Sequence, residues 1–251
     1  MKHLLSREGC LALEAVLRAQ PLLAFDFDGT LAPIVARPDD AHVAVAVSQR
    51  LDRLARLRPL AVVTGRAVGD VARRLGFTPQ FIVGNHGAED PGLALAFDMR
   101  PLDRLRARIA ASADEFRAAG IQVEDKHFSL ALHYRLAPEQ RQAAARIEAL
   151  VADLDPALRC FGGKYVVNVV AAGAPDKGDA VASLVRRAGC DSALFVGDDI
   201  NDEAVFVRAS PTWLTVRVGR DDPQSRAAFF LGDHDEIVVL LESMLGALES
   251  L

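Results

Sequence analysis

Four short apolar runs constrain this chain more than any other feature. Leu22 to Phe25 (after Pro21), Leu60 to Val63, Phe81 to Val83 and Ala193 to Val196 contain no polar residue. Each stops abruptly on residues that can do chemistry: Asp26; Thr64-Gly65-Arg66; Gly84-Asn85-His86-Gly87; Gly197-Asp198-Asp199. Continuous apolar runs of this length suit strands buried on both faces. The segments between them have helical spacing: Val43, Val47, Leu51 and Leu54; Ala67 to Leu75, closed by Gly76; Lys177 to Ala188. Strand and helix in alternation argue for a parallel sheet covered on both sides. Ligands of such sheets bind beyond the carboxyl ends of the strands. Asp26, Asp28, Thr64, Lys177, Asp198 and Asp202 are therefore expected to converge, although the chain holds them far apart.

The middle of the chain changes pattern. Pro101 opens a helix with Leu102, Leu105, Ile109 and Phe116 on one face. Ile121 to Glu124 and Phe128 to Arg135 read as strands, the second with clean two-residue alternation. Pro138 opens another helix, to about Val151, and Ala157 to Phe161 with Tyr165 to Val170 form a hairpin around Gly162-Gly163. The buried-strand pattern then returns. An N-terminal helix (Glu8 to Ala19), a short helix (Asn201 to Val207), a strand (Trp213 to Val218) and a closing helix (Asp235 to Leu248) complete the reading. The expected fold is α/β: a doubly wound, Rossmann-like parallel-sheet core made by residues 1–97 and 176–251. An inserted α+β cap of order αββαββ spans 98–175, with one sheet face covered by two helices.

Composition removes several function classes. The chain has 251 residues, 51% hydrophobic and 25% charged, as in packed one- or two-domain proteins. No apolar stretch approaches the roughly 20 residues of a membrane span. Arg7, Glu8, Glu14 and Arg18 interrupt the first twenty residues, unlike a signal peptide, so a cytoplasmic location is expected. Net charge is −5 with no basic stripe, so no nucleic-acid partner is expected. Cys10, Cys160 and Cys190 are scattered, and the six histidines include no HExxH pair. A metal here would be held by carboxylates, which points to a hard cation such as Mg2+.

Each motif admits a plain reading beside the chemical one. In Asp26-Phe27-Asp28-Gly29-Thr30-Leu31, carboxylates at i and i+2 leave a strand on one side. They would repel unless a cation lay between them, or they would simply cap the turn. Thr64 offers a hydroxyl and a backbone N–H to a phosphate oxygen, or an N-cap to the helix near Ala67, or both. Lys177 opposes the dipole of the helix it begins. That hints at an anionic ligand or carboxylate partner, although the residue taken alone reads as a solvated lysine. Asp198, Asp199, Asp202 and Glu203 put four acids in six residues at a strand-to-helix junction, more than capping requires.

Taken in order, these motifs resemble the haloacid dehalogenase-like superfamily of phosphotransferases over nearly the whole chain. The resemblance implies that Asp26 is the nucleophile forming an aspartyl-phosphate. It implies that Asp28 protonates the leaving oxygen and then deprotonates water, and that Thr64 and Lys177 hold phosphoryl oxygens. Mg2+ would be held by Asp26, the main-chain carbonyl of Asp28 and Asp198, supported by Asp202. Gly84 to Glu89, Val123 to Arg135 and Gly197 to Glu203 are similar, more narrowly, to the trehalose-6-phosphate phosphatase family, which has such a cap. That resemblance implies a sugar-phosphate substrate gripped by Glu124 and Lys126, a pair that alone would read as an exposed turn ion pair. Gly65, Arg66, Asn85 and His86 would border the substrate, His86 otherwise being a turn residue bonded to backbone.

Two departures bear on the substrate. Asn168 stands where family members usually carry a glutamate, and Asn201 where they often carry threonine. The readings left open are another sugar phosphate or mannosyl-3-phosphoglycerate, a transferase passing phosphate to a second sugar, and a non-catalytic sugar-phosphate sensor. The linkers near Phe97 to Pro101 and Ala171 to Asp176 would serve as hinges for closure over the site.

Overall fold

The computed structural model describes residues 1–35, 37–94, 97–163, 165–219 and 222–250. Its elements, in chain order, begin with β1 (Lys2–His3), α1 (Arg7–Arg18), β2 (Leu22–Phe25), α2 (Val45–Leu57), β3 (Leu60–Val63), α3 (Val68–Ala72) and β4 (Phe81–Val83). An inserted stretch follows: α4 (Arg100–Ala111), α5 (Ala113–Ala118), β5 (Gln122–Asp125), β6 (Ser129–His133), α6 (Gln140–Ala152), β7 (Leu158–Gly163) and β8 (Val166–Ala171). The chain closes with α7 (Lys177–Arg187), β9 (Ala193–Gly197), α8 (Glu203–Arg208), β10 (Leu214–Val218), β11 (Phe229–Leu231) and α9 (Glu236–Glu249).

The residues divide into two compact units, Met1–Pro91 with Pro175–Leu251, and Gly92–Ala174. The sequence places the first boundary at 97. Phe97 packs edge-on against Phe128, inside the inserted unit.

The first unit is a seven-stranded sheet of order β1-β11-β10-β9-β2-β3-β4, with every described pairing parallel. Its central strands are buried on both faces, and the two-residue period sorts their side chains into two cores. Leu23, Phe25, Leu60, Val62, Leu194 and Val196 pack with residues of α1, α2 and α9. Leu22, Ala24, Ala61, Val63, Ala193 and Phe195 pack with residues of α7 and α8, where Trp213 also lies partly buried. This is the doubly wound architecture that the uninterrupted apolar runs require. The two-residue β1 escapes any pattern reading, since it is too short to show a period.

Register fixes the site. Phe25 lies opposite Val62 on one side and Val196 on the other. Asp26, Thr64 and Asp198 therefore leave three adjacent strands within one residue of the same level.

The inserted unit is an antiparallel sheet of order β5-β6-β8-β7. Leu102, Leu105, Ile109, Phe116, Leu130, Leu132, Ile147 and Val169 form its core with the helices. The helix expected from 101 through 116 breaks at Ser112, which leaves helical geometry (φ −108°, ψ 18°). Residues 110–113 are Ala-Ala-Ser-Ala, so no apolar anchor resists the break, and Ser is a weak helix former. Ser129 and Ala131, on the sheet face away from the helices, are also fully buried, where an open face is expected. Both are small side chains on an inner strand, set between the longer ones of β5 and β8.

Candidate active site

Three carboxylates, two of them buried and Asp198 half-buried, meet at the carboxyl ends of β2 and β9. Asp26, Asp198 and Asp202 each offer an oxygen within 4.8 Å of the others. Lys177, at the first position of α7, reaches into the same point. Its Nζ lies 3.0 Å from Asp26 Oδ1 and 2.7 Å from Asp202 Oδ1, and its side chain is 2% exposed. Burial works against the ammonium, yet Asp202 and Asp26 together hold its pKa above that of an ordinary lysine. Burial likewise pushes Asp26 well above the usual carboxylate range. Lys177 opposes that shift, and Asp202, Asp198 and Asp28 reinforce it. Asp198 is pushed up to about 7, first by burial and then by Asp202. The Asp202 carboxylate is doubly engaged, its other oxygen accepting the N–H of Asp199 at 3.0 Å.

The loop after β2 brings Gly29 against Asp198. Gly29 has φ +79°, and a Cβ there would stand 2.1 Å from Asp198 Oδ2. Only glycine allows both the turn and the close approach. Thr30, fully buried, points its hydroxyl at Asp198 Oδ1 from 3.5 Å.

Asp28 turns away from this cluster. Both of its oxygens are gripped by Arg66, with Nε to Oδ2 at 2.8 Å and Nη2 to Oδ1 at 2.7 Å. Arg66 also donates to Asp70 (2.9 Å) and to the carbonyl of Pro38 (2.9 Å), and its guanidinium lies 5.2 Å from the centre of the Phe27 ring. Asp70 is tied in turn to Arg74, at 2.8 and 3.0 Å. Burial raises the Asp70 carboxyl, but its bonds to Arg74 and Arg66 outweigh this and leave it below the usual range.

Thr64 is fully buried and its Oγ accepts the N–H of Arg66 at 3.2 Å. The hydroxyl therefore caps the turn and still has a proton to donate. The loop after β4 braces this one. His86 N–H donates to Thr64 O, Asn85 N–H to Arg66 O, and Glu89 accepts from Val68 N–H (2.9 Å) and Asn85 Nδ2 (2.7 Å). Asn85 and His86 both sit in the left-handed region, at φ 50° and 57°. The His86 ring lies so close to Gly65 that a Cβ there would meet Cε1 at 2.4 Å. Glycine at 65 is a packing requirement of that ring.

In the inserted unit, Glu124, Ala131 and Asn168 occupy one row across β5, β6 and β8, and so share a sheet face. Lys126 Nζ lies 3.6 Å from Glu124, and His133 Nε2 lies 2.9 Å from it. Burial raises the Glu124 carboxyl, but His133 and Lys126 reverse this and leave it below the usual range. Asn168 is 3% exposed.

Asp26, Asp198, Asp202 and Lys177 thus form one cluster, with the Thr64–Arg66 loop on the next strand end and Asp28 held by that loop. Sequence reasoning missed Asp70, Glu89 and His133. Arg66, Asp70 and Arg74 are spaced by four with alternating charge, a signal of ion pairing along a helix face. His133 lies on the alternating strand Phe128 to Arg135, and no spacing links it to Glu124. Glu89 lies in the stretch that carries the family resemblance, but nothing in its spacing marks it as the acceptor for Val68 and Asn85.

Comparison with known proteins adds a lineage. The profile of the family described as trehalose-phosphatase matches residues 24–226. A trehalose-phosphate phosphatase of Mycolicibacterium paratuberculosis is 33% identical over 235 residues, covering 85% of this chain and 59% of that protein. The chain therefore spans under two thirds of that relative's length. A probable trehalose-phosphate phosphatase of Sinorhizobium fredii is 36% identical over 217 residues, covering 82% of this chain and 80% of that one. In fold, the chain is similar to the C-terminal domain of Candida albicans trehalose-6-phosphate phosphatase. The TM-score is 0.81 at 22% identity, over 98% of both chains. It is also similar to a trehalose-6-phosphate phosphatase related protein, with a TM-score of 0.74 at 24% identity, over 91% of this chain and 99% of that one.

Proposed function

Because the chain belongs to the trehalose-phosphatase family, we propose that it hydrolyses trehalose 6-phosphate to trehalose and inorganic phosphate, in two steps and with Mg2+. The observation that carries this reading is the buried cluster at the strand ends, three carboxylates around a single lysine.

The donor set fits a hard divalent ion. It offers only oxygen, it is largely buried, and burial together with the neighbouring acids raises the pKa values of Asp26 and Asp198, which a cation between them would reverse. Asp26 and Asp198 would hold the ion, with Asp202 in support and the main-chain oxygen of Asp28 as a further ligand. When bound, the ion offsets charge on the phosphoryl group and on the acids around it.

The chain's own residues do the rest. Asp26 attacks phosphorus through a carboxylate oxygen as the bond to the sugar oxygen breaks. Lys177 and Thr64, with the loop at Gly65, hold the non-bridging oxygens. Asp28 gives its proton to the departing sugar oxygen. It then takes one from the water that attacks the aspartyl-phosphate, which restores the Asp26 carboxylate and the proton on Asp28 and releases phosphate. Asn85 and His86 border this loop. Glu124, Lys126 and Asn168, on one face of the inserted sheet, bind sugar hydroxyls, which both donate and accept.

Asn168 favours a second reading for the substrate. It brings no charge to the row that Glu124 occupies, which suits another sugar phosphate or mannosyl-3-phosphoglycerate acted on by the same chemistry. Phosphate release should be measured from trehalose 6-phosphate and a panel of sugar phosphates, with Mg2+ or with chelator. The expected result is highest kcat/KM on trehalose 6-phosphate, no turnover in chelator, and no turnover by a folded Asp26→Asn variant. A clear preference for another ester replaces the substrate. Binding of sugar phosphate with no release from any ester overturns the enzymatic reading in favour of a sensor.

A further inference from the structure

Arg66 is spent on protein groups. Four of the five N–H donors of its guanidinium are engaged, two by Asp28, one by Asp70 and one by the Pro38 carbonyl. The side chain is 11% exposed and lies over the Phe27 ring. Little of it remains to touch a sugar. Its partner Asp70 is held from the far side by two bonds from Arg74, itself 10% exposed and bonded to Asp39. Asp28, by contrast, is 45% exposed and on a loop, where an aspartate left alone would sample several rotamers.

We propose that Arg66, anchored by Asp70, is a positioning residue that fixes the direction in which Asp28 presents its carboxyl to the leaving-group oxygen. The inference rests on the reading of Asp28 as proton donor. A two-bond Arg–carboxylate fork fixes plane and direction together, which a single contact or a lysine does not. When Asp28 carries the proton that it donates, one oxygen is a hydroxyl and the other still accepts from Arg66. One of the two bonds therefore survives the change in protonation, on a guanidinium that Asp70 and the Pro38 carbonyl keep in place. The proton moves from the Asp28 hydroxyl to the leaving oxygen as its bond to phosphorus breaks, and Asp28 returns to the two-bond grip.

The test uses phenyl phosphate and p-nitrophenyl phosphate, which are similar in shape and carry no sugar. Phenolate is the poorer leaving group and needs the donated proton more. The measured quantity is kcat/KM, which reports steps through leaving-group departure. A correctly placed acid contributes roughly 10²–10⁴-fold, and a misdirected one forfeits part of that. Arg66→Gln should lose about tenfold more on phenyl phosphate than on p-nitrophenyl phosphate. Arg66→Lys should recover part of the gap, and Asp70→Asn should show a smaller gap of the same sign. Equal losses on the two esters would overturn the proposal, because a structural or sugar-binding role moves both alike. If Arg66→Gln does not fold, the Asp70→Asn ratio decides, with equal losses again overturning the proposal. Turnover by the unaltered protein of neither these esters nor any sugar phosphate would overturn the phosphatase reading, and this inference with it.

Discussion

Replacing Lys177 by methionine is the sharpest test of the buried cluster. Methionine keeps the length and apolar stem and removes the ammonium that lies between Asp26 and Asp202. The lysine is 2% exposed, Asp26 7% and Asp202 0%, so solvent does little to screen the loss. In the metal-free protein, three carboxylates within 4.8 Å would then face no cation. Removing one partner of a buried ion pair costs about 3–5 kcal/mol, because the charge left behind stays desolvated. At about 2–4 °C per kcal/mol for a chain of this size, the melting temperature should fall by roughly 6–20 °C.

The loss should depend on pH. The stranded acids escape it by taking up protons, so the variant should be hurt less near pH 5 than near pH 8. Lysine itself adds no pH dependence there. Its folded pKa lies above its ordinary value, so its contribution is complete across this range and is lost only at higher, alkaline pH. Urea unfolding in chelator, for Lys177→Met, Asp202→Asn and the double variant, gives the coupling directly. Neutralising Asp202 removes part of the charge that the lysine was offsetting. The double variant should therefore be more stable than the two single losses summed, by about 1–3 kcal/mol. A loss below about 1 kcal/mol from Lys177→Met, or strict additivity, would refute the reasoning.

Gly29→Ala should abolish both turnover and the thermal shift produced by Mg2+. The added Cβ falls 2.1 Å from Asp198 Oδ2 on a backbone of φ +79°, so the carboxylate must leave; an undiminished Mg2+ shift in calorimetry contradicts this. Stabilisation by Mg2+ should grow between about pH 4 and pH 7 and level off above. The folded pKa of Asp198, about 7, lies above its ordinary 3.8, so protons stabilise the metal-free fold and compete with the ion until that carboxyl ionises. Calorimetric scans across pH, with and without Mg2+, check the sign. His133→Phe should raise KM for the sugar phosphate by about tenfold through release of Glu124, as the loss of about one charge-assisted bond requires; steady-state kinetics against inorganic-phosphate inhibition separates this from damage at Asp26.

The sheet and its site edge were legible because burial on both faces leaves a plain signature. Leu22 to Phe25, Leu60 to Val63 and Ala193 to Val196 carry no polar residue, so the first polar residue after each marks the strand end. Those ends are adjacent in space because β9, β2 and β3 are neighbours. The direction of each side chain was not legible. Asp26 and Asp28 leave the strand two residues apart and read as a pair, yet one joins Lys177 and the other joins Arg66. What separates them is the turn at Gly29 and the fork of an arginine 38 positions away. Such a contact has no local period to reveal it. The inserted unit shows the same limit: Glu124 and Lys126 were visible as a pair, while the bond from His133 depends on a strand register that no spacing specifies.

Three positions at the site break local rules, and the compensation for each is visible. A lysine at the first position of a helix opposes the dipole, and Lys177 begins α7. The helix is not left to bear this, because Asp176 accepts from Asp179 N–H while Asp179 accepts from Asp176 N–H. This reciprocal cap supplies the negative charge that the N-terminus favours. The ammonium is thereby free to serve the carboxylates beyond it. Asn85 and His86 are held at positive φ without being glycine, which costs of order 1–3 kcal/mol each. Bonds to Thr64, Arg66 and Glu89 keep them there. A fold selected for stability alone has no use for a buried lysine among three acids beside a strained turn. A fold that must receive a phosphoryl group at a fixed point needs the rigidity that this combination provides.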